Sequence, residues 1–188
     1  MTMRDQILAS AQRLTQERGF NGFSYADIAD EVGIRKASLH HHFPSKTDLG
    51  LALVSAYSGD LDQGLRNIED LKAKADDRLR AYVSLYRRAL DADRMCLCGI
   101  LAAEALTLDT ALLPQLNRFF ARNVEWLAGV IAAGKSQKIF AYSGSPEDQG
   151  RMFLSALQGA LLMARATGDK AAFDRTAALL IKGLRRGQ

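Results

Sequence analysis

Ser24-Tyr-Ala-Asp-Ile-Ala-Asp-Glu-Val-Gly-Ile-Arg-Lys-Ala-Ser-Leu-His-His-His-Phe-Pro-Ser-Lys-Thr-Asp48 is the stretch that decides the fold. Ser24 stands three residues before Asp27. A hydroxyl at that spacing accepts from unpaired backbone N–H groups of a first helical turn, and the acid favours the positive helix end. Phe23 and Ile28 occupy the flanking positions of a hydrophobic staple, as Ile34 and Leu39 do for the next helix. Ile28, Ala29 and Val32 then share one face, which predicts a helix over Tyr25–Val32 that stops at Gly33. The turn Gly33-Ile34-Arg35 leads to a second short helix, Lys36–Phe43, closed by Pro44. Two short helices joined by a three-residue turn containing Gly make a helix-turn-helix pattern.

The same start signal recurs on both sides, at Thr2/Asp5 and Ser45/Asp48. The first opens a helix over Met3–Arg18, with Ile7, Leu8, Ala11 and Leu14 on one face and Gly19 as its stop. The other opens a fourth helix after Ser45. Helical periodicity continues over roughly 76–92, 96–107 and 112–133. Ser145-Pro-Glu-Asp148 combines an N-cap, a proline at the first helical position and two acids, and so opens a helix over 146–166. That helix is apolar on almost every side. A last helix, about 170–184, carries Phe173, Ala177, Leu180, Ile181 and Leu184 on one stripe.

Composition agrees with an all-α fold: 48% of the 188 residues are hydrophobic and only three are proline. No apolar run reaches the roughly 18 residues of a membrane span, and the first residues are too polar for a signal peptide. A soluble, cytoplasmic protein without membrane association is expected. Two cysteines, Cys96 and Cys98, are no disulfide framework and fit reduced thiols. The net charge of +4 says little by itself, because residues 1–50 hold six basic and six acidic side chains. The local signal is sharper. Arg35 to Lys46 contains three basic residues, no acid and all three histidines.

On the second short helix, Leu39 and Phe43 lie one turn apart and should pack inward. The opposite face presents Lys36 with His40 and Ala37 with His41. Such a face fits a major groove about 12 Å wide, with Lys36 donating to guanine and Ser38 and Lys46 suited to phosphates. His40, His41 and His42 fan over about 200° of the helix and do not converge on a metal ion. No metal site or cofactor is expected.

Residues 19–49, from Gly19-Phe-Asn-Gly-Phe-Ser24 through His40-His-His-Phe-Pro-Ser45 to Leu49, resemble the head of TetR-family repressors in order and spacing, and the match covers residues 4–50. The resemblance implies an N-terminal three-helix helix-turn-helix head, residues 1–48, on a C-terminal helical ligand-binding and dimerisation bundle, residues 49–188. It further implies a homodimer that binds a palindromic double-stranded DNA operator and is released by a small-molecule effector. Carried over by position, Lys36, Ala37, His40 and His41 approach bases, and Tyr25, Ser38, His42 and Lys46 lie near phosphates. Two positions depart from the family pattern. His40 stands where Tyr is usual. Arg35 stands where many relatives have a Ser N-cap, at a cost of about 1 kcal/mol, and adds a candidate phosphate contact.

In the body, helices 146–166 and 170–184 expose more apolar surface than one core needs, which suggests dimerisation through that pair. Aromatic residues Tyr57, Tyr82, Tyr86, Phe119, Phe120 and Trp126 gather mid-chain, where the family lines its ligand cavity. Tyr82, Tyr86, Phe119 and Trp126 are the pocket candidates, with the i,i+4 tyrosine hydroxyls suited to orient a ligand. Cys96 and Cys98 open a central helix, where backbone N–H groups lower a thiol pKa, so an electrophile or oxidant is a second candidate effector. The competing reading of both is plain packing. Catalysis is not indicated: no Gly-rich phosphate loop occurs and the body has no histidine. The alternative function is a helical ligand-binding protein without operator-specific DNA binding.

Overall fold

The computed structural model describes residues 2–185. Among them it contains helices α1 (Met3–Arg18), α2 (Tyr25–Val32), α3 (Lys36–His42), α4 (Lys46–Leu71), α5 (Ala75–Asp91), α6 (Leu97–Ala103), α7 (Leu113–Ser136), α8 (Pro146–Thr167) and α9 (Lys170–Arg185). A 3-10 turn, Thr110–Leu112, precedes α7, and no strand occurs among the described residues. The all-α expectation holds, and no helix there is long and apolar enough to cross a membrane.

The anticipated helix starts form as hydrogen-bonded caps. Asp5 N–H donates to Thr2 Oγ1 at 3.2 Å, and Thr2 N–H donates back to Asp5 Oδ2 at 2.8 Å. Ser24 N–H and Oγ–H both donate to Asp27 Oδ2, and Asp48 N–H donates to Ser45 Oγ at 3.0 Å. These bonds hold Asp5 and Asp27 below the usual carboxylate range, because they stabilise the charged form. At the far end of α2, Gly33 adopts φ +74°, a left-handed conformation that a side chain disfavours, and its N–H closes on Ala29. This geometry turns the chain sharply into α3.

By packing, the chain falls into two compact units. One runs to Asp60 and takes in Cys96–Phe119; the other is Leu61–Met95 with the chain from Phe120 onwards. In the first, α1 packs on α2 and α6, and α2 on α3. Ile7, Ile28, Leu39, Leu49 and Leu53 are its fully buried centre. Leu39 alone gains roughly 1.5–3 kcal/mol from burial, which ties a helix of only seven residues to the rest. In the second unit, α8 and α9 pack on each other and on α5. Phe153, Leu157, Leu161, Phe173, Ile181 and Leu184 are buried there.

One element is shorter than its periodicity predicts. The expected helix over 96–107 ends at Ala103. Thr107 Oγ1 donates to the Glu104 carbonyl, and Thr107 N–H takes the same acceptor, so the chain closes into a turn there. A side chain that bonds the local backbone competes with helix continuation, and here it wins.

Candidate nucleic-acid interface and effector site

α3 buries Leu39 and sets Phe43 beneath its C-terminal end, as the amphipathic pattern requires. Lys36, Ala37, Ser38, His40 and His41 are exposed, together with Arg35 at the N-cap, and His42 is half-buried. Arg35 makes no side-chain cap, so the first turn of α3 is closed by backbone alone, with Ser38 N–H donating to Arg35 O at 2.9 Å. The His40 ring lies 4.8 Å from the Tyr25 ring, with Nδ1 at 3.3 Å from the Pro44 carbonyl. Donation from Nδ1 to that carbonyl leaves Nε2 of a neutral ring as an acceptor.

Tyr25 and Lys46 are held inside the head. The Tyr25 hydroxyl lies within hydrogen-bond distance of the Phe43 and Ser45 carbonyls, at 2.9 and 2.6 Å, and so braces α2 against the corner between α3 and α4. Lys46 Nζ donates to Phe23 O at 2.6 Å and sits over the Phe20 and Phe23 rings, 5.0 and 4.6 Å from their centroids. Burial lowers the Lys46 pKa from its ordinary value.

Burial pushes the Tyr25 phenol up to about 12. The sign follows from linkage. A phenol whose folded pKa exceeds its unfolded value of ~10 contributes stability that is complete below pH ~10 and is lost as pH climbs through the folded value. Tyr25→Phe is expected to cost the head about 0.5–1.5 kcal/mol at neutral pH by removing this hydroxyl. It should also remove part of the alkaline fall in denaturation midpoint. An alkaline fall of the same size in parent and variant would show that Tyr25 does not titrate with folding.

A second brace in the same unit escaped the sequence. Asn21 N–H donates to Glu104 Oε2 at 3.1 Å, and Asn21 Nδ2 donates to Thr107 Oγ1 at 2.8 Å. Thr47 Oγ1 donates to Asp109 Oδ2 at 2.9 Å. Gly19 has φ +86°, and a Cβ there would come within 2.3 Å of Glu104 Oε1. The residue expected merely to stop α1 also makes room for a carboxylate arriving from 85 positions away. No local signal announces such a contact.

The effector candidates are divided between the units. In the second, Tyr82 is fully buried, donates to Asn123 Oδ1 at 2.7 Å and lies 3.0 Å from the Tyr86 hydroxyl. Its ring stacks on Trp126 at 5.3 Å, and Trp126 Nε1 donates to Glu69 Oε1 at 2.8 Å. Asn123, which the sequence did not single out, completes this polar cluster. In the first unit, Phe119 lies 5.8 Å from Tyr57, and burial raises the Tyr57 phenol pKa well above its ordinary value.

Cys96 and Cys98 are both buried. The expectation that a helix start lowers the thiol pKa fails at Cys98, where burial, and then the neighbouring Cys96, push it up. Without water, a thiolate loses its solvation, and the weak field of a short helix does not replace it. Neither thiol should label with a disulfide reagent in the native protein near neutral pH, while both should label in denaturant. Fast native labelling would reinstate them as reactive groups. Among the described residues no group of three His, Cys, Asp or Glu side chains could hold a metal ion.

An all-helical chain with a helix-turn-helix that turns a basic, histidine-rich face to solvent defines a DNA-binding transcriptional regulator. Comparison with known proteins agrees. Residues 7–53 match the family model described as bacterial regulatory proteins, tetR family. A TetR-family transcriptional regulator from Agrobacterium tumefaciens superposes with a TM-score of 0.94 at 34% identity, covering 98% of each chain. A TetR regulator from Legionella pneumophila gives 0.87 at 28% identity, again over 98% of each chain. The repressor NemR of Escherichia coli is 23% identical over 169 residues, 86% of this chain and 83% of NemR. The chain belongs to the TetR family of transcriptional regulators. Regulators of this family bind DNA operators as dimers and respond to small-molecule effectors.

Proposed function

We propose that the chain is a cytoplasmic, homodimeric repressor that occupies a near-palindromic operator and leaves it when a small molecule enters the helical body. The exposed face of α3 carries this reading: Lys36, Ala37, His40 and His41 approach base edges, while Arg35, Ser38 and His42 meet phosphates. Tyr25 and Lys46 hold the α3–α4 corner from within. The functional division is a head, residues 1–48, on a ligand-binding and dimerisation body, residues 49–188.

Dimerisation rests on a second face. Along α8, Met152, Ser155, Gly159, Leu162, Met163 and Ala166 are all exposed at spacings of three, four or one, opposite the buried Phe153, Leu157 and Leu161. Leu179 on α9 is exposed as well, and a groove of about 350 Å³ between the two helices is lined by Met152, Leu179, Leu180 and Tyr142. An apolar stripe of this kind on a single chain favours a partner surface. Repression is the activity named for NemR, and it is the sign adopted here. The buried cluster of Tyr82, Tyr86 and Asn123 suits an effector with hydrogen-bonding groups. Burial of the thiols argues for a non-covalent effector over an electrophile.

Selecting bound sequences from a random duplex pool tests the proposal. Recovered sites should show two-fold symmetry with half-site centres one helical turn, ~34–36 Å, apart or somewhat more. Recovered sites without symmetry would sink the homodimeric reading. A protein that enriches nothing would be the helical ligand-binding protein of the alternative.

A further inference from the structure

Six basic side chains lie in the first 50 residues, and the fold disposes of them unequally. Arg13 is committed to Glu17 and Glu31. Arg18 lies near Asp27 and Glu31 and helps to hold both carboxylates ionised. Lys46 is turned inward onto Phe23 O and two rings. The remaining cations are Arg35, Lys36 and Arg4, all exposed. Arg35 and Lys36 sit at the N-terminal end of α3. Arg4 belongs to α1, yet its guanidinium lies 5.1 Å above the ring of Phe43, the C-cap of α3. Its chain neighbour Asp5 is hydrogen-bonded to Thr2 and interacts with Arg4 through charge alone.

Cations therefore stand at both ends of a helix about 10 Å long, against a major groove about 12 Å wide. We infer that Arg4 is a DNA-positioning residue that contacts a backbone phosphate at the C-terminal end of α3, across the groove from Arg35 and Lys36. The Phe43 ring seats the guanidinium by a cation–π contact without consuming its N–H donors, which stay available to a phosphate. The inference rests on α3 being the reading helix and adds an anchor from outside the helix-turn-helix.

The test compares parent, Arg4→Gln and Arg4→Lys on a mixed-sequence duplex of about 30 bp and on a selected site, over a range of salt. Arg4→Gln should bind both duplexes about 5- to 50-fold more weakly near ~0.1 M salt, and the slope of log K against log salt should flatten by ~0.9 per subunit. Arg4→Lys should recover most of the slope, and base preference should stay unchanged in both variants. An unchanged affinity and slope in Arg4→Gln overturns the inference. So does weaker binding at unchanged slope together with a lowered melting temperature, which would mean that Arg4 only packs on Phe43. A shift in base preference overturns it too, since Arg4 would then touch a base. If the parent itself binds neither duplex, the reading-helix assignment fails and takes this inference with it.

Discussion

Replacing Leu162 and Leu179 together by glutamate is expected to yield a folded monomer whose operator affinity has fallen at least about 100-fold. Both side chains are more than half exposed in the single chain, at 58% and 66%, on the outward stripes of α8 and α9. Removing them leaves the buried Phe153, Leu157, Phe173 and Ile181 untouched, so the monomer fold should survive. Each leucine contributes roughly 1.5–3 kcal/mol when buried, and each is present twice in a symmetric pair. The substitution removes that gain and places four carboxylates in an apolar seam. The DNA consequence is larger than the dimer contacts themselves. A lone head keeps one half-site, and specific binding typically exceeds non-specific binding by ~10³–10⁷. Sedimentation equilibrium gives the oligomeric state and a titration gives the affinity. A double variant that remains a dimer with parental affinity would move the interface off this face. Met163→Lys, on the same α8 stripe, provides an independent check.

Lys36→Ala is the second large effect, a loss of about 1–3 kcal/mol at the selected site, with relaxed preference at one base position. The exposed ammonium at the first position of α3 has no carboxylate partner among the described residues, so no internal contact is lost with it. Melting temperature should stay unchanged. Lys46→Ala is the informative contrast. Its ammonium is bound to Phe23 O and packed over two rings, so its removal should lower head stability and weaken every DNA sequence alike. If Lys36→Ala also weakens all sequences equally, Lys36 touches phosphate and the guanine reading is wrong.

The family was legible because its signature is local. A cap needs a hydroxyl and an acid three residues apart, a helix stop needs a glycine, and an amphipathic face repeats every three or four positions. Each of these is an interaction between near neighbours in the chain; the starts at Thr2, Ser45 and Ser145 form as read, and at Ser24 the cap closes through Asp27, which accepts from the Ser24 N–H and hydroxyl. The exposed face of α3 follows from the same arithmetic. Once Leu39 and Phe43 turn inward, Lys36, Ala37, His40 and His41 have only one side left.

Where charge and polarity end up was not legible. The sequence offered Tyr25 and Lys46 as phosphate contacts, because a phenol and an ammonium near a reading helix are chemically suited to that task. The structure gives both a further task at the corner between α3 and α4, since the carbonyls of Phe23, Phe43 and Ser45 converge there only when α2, α3 and α4 are assembled, and their phosphate contacts stay proposals. The same reason hid Glu104 beside Gly19, Asn123 beside Tyr82 and Arg4 above Phe43. Sequence alone determined the helices, their order and the outward face of the reading helix, because these depend on residues within about one turn of each other. Tertiary structure alone decided which cations stay free, which thiols lose their water and which polar groups pair, because these depend on partners as far as 18 to 86 positions distant. Solvation and charge are settled by what surrounds a group in space, and spacing along the chain carries no record of it.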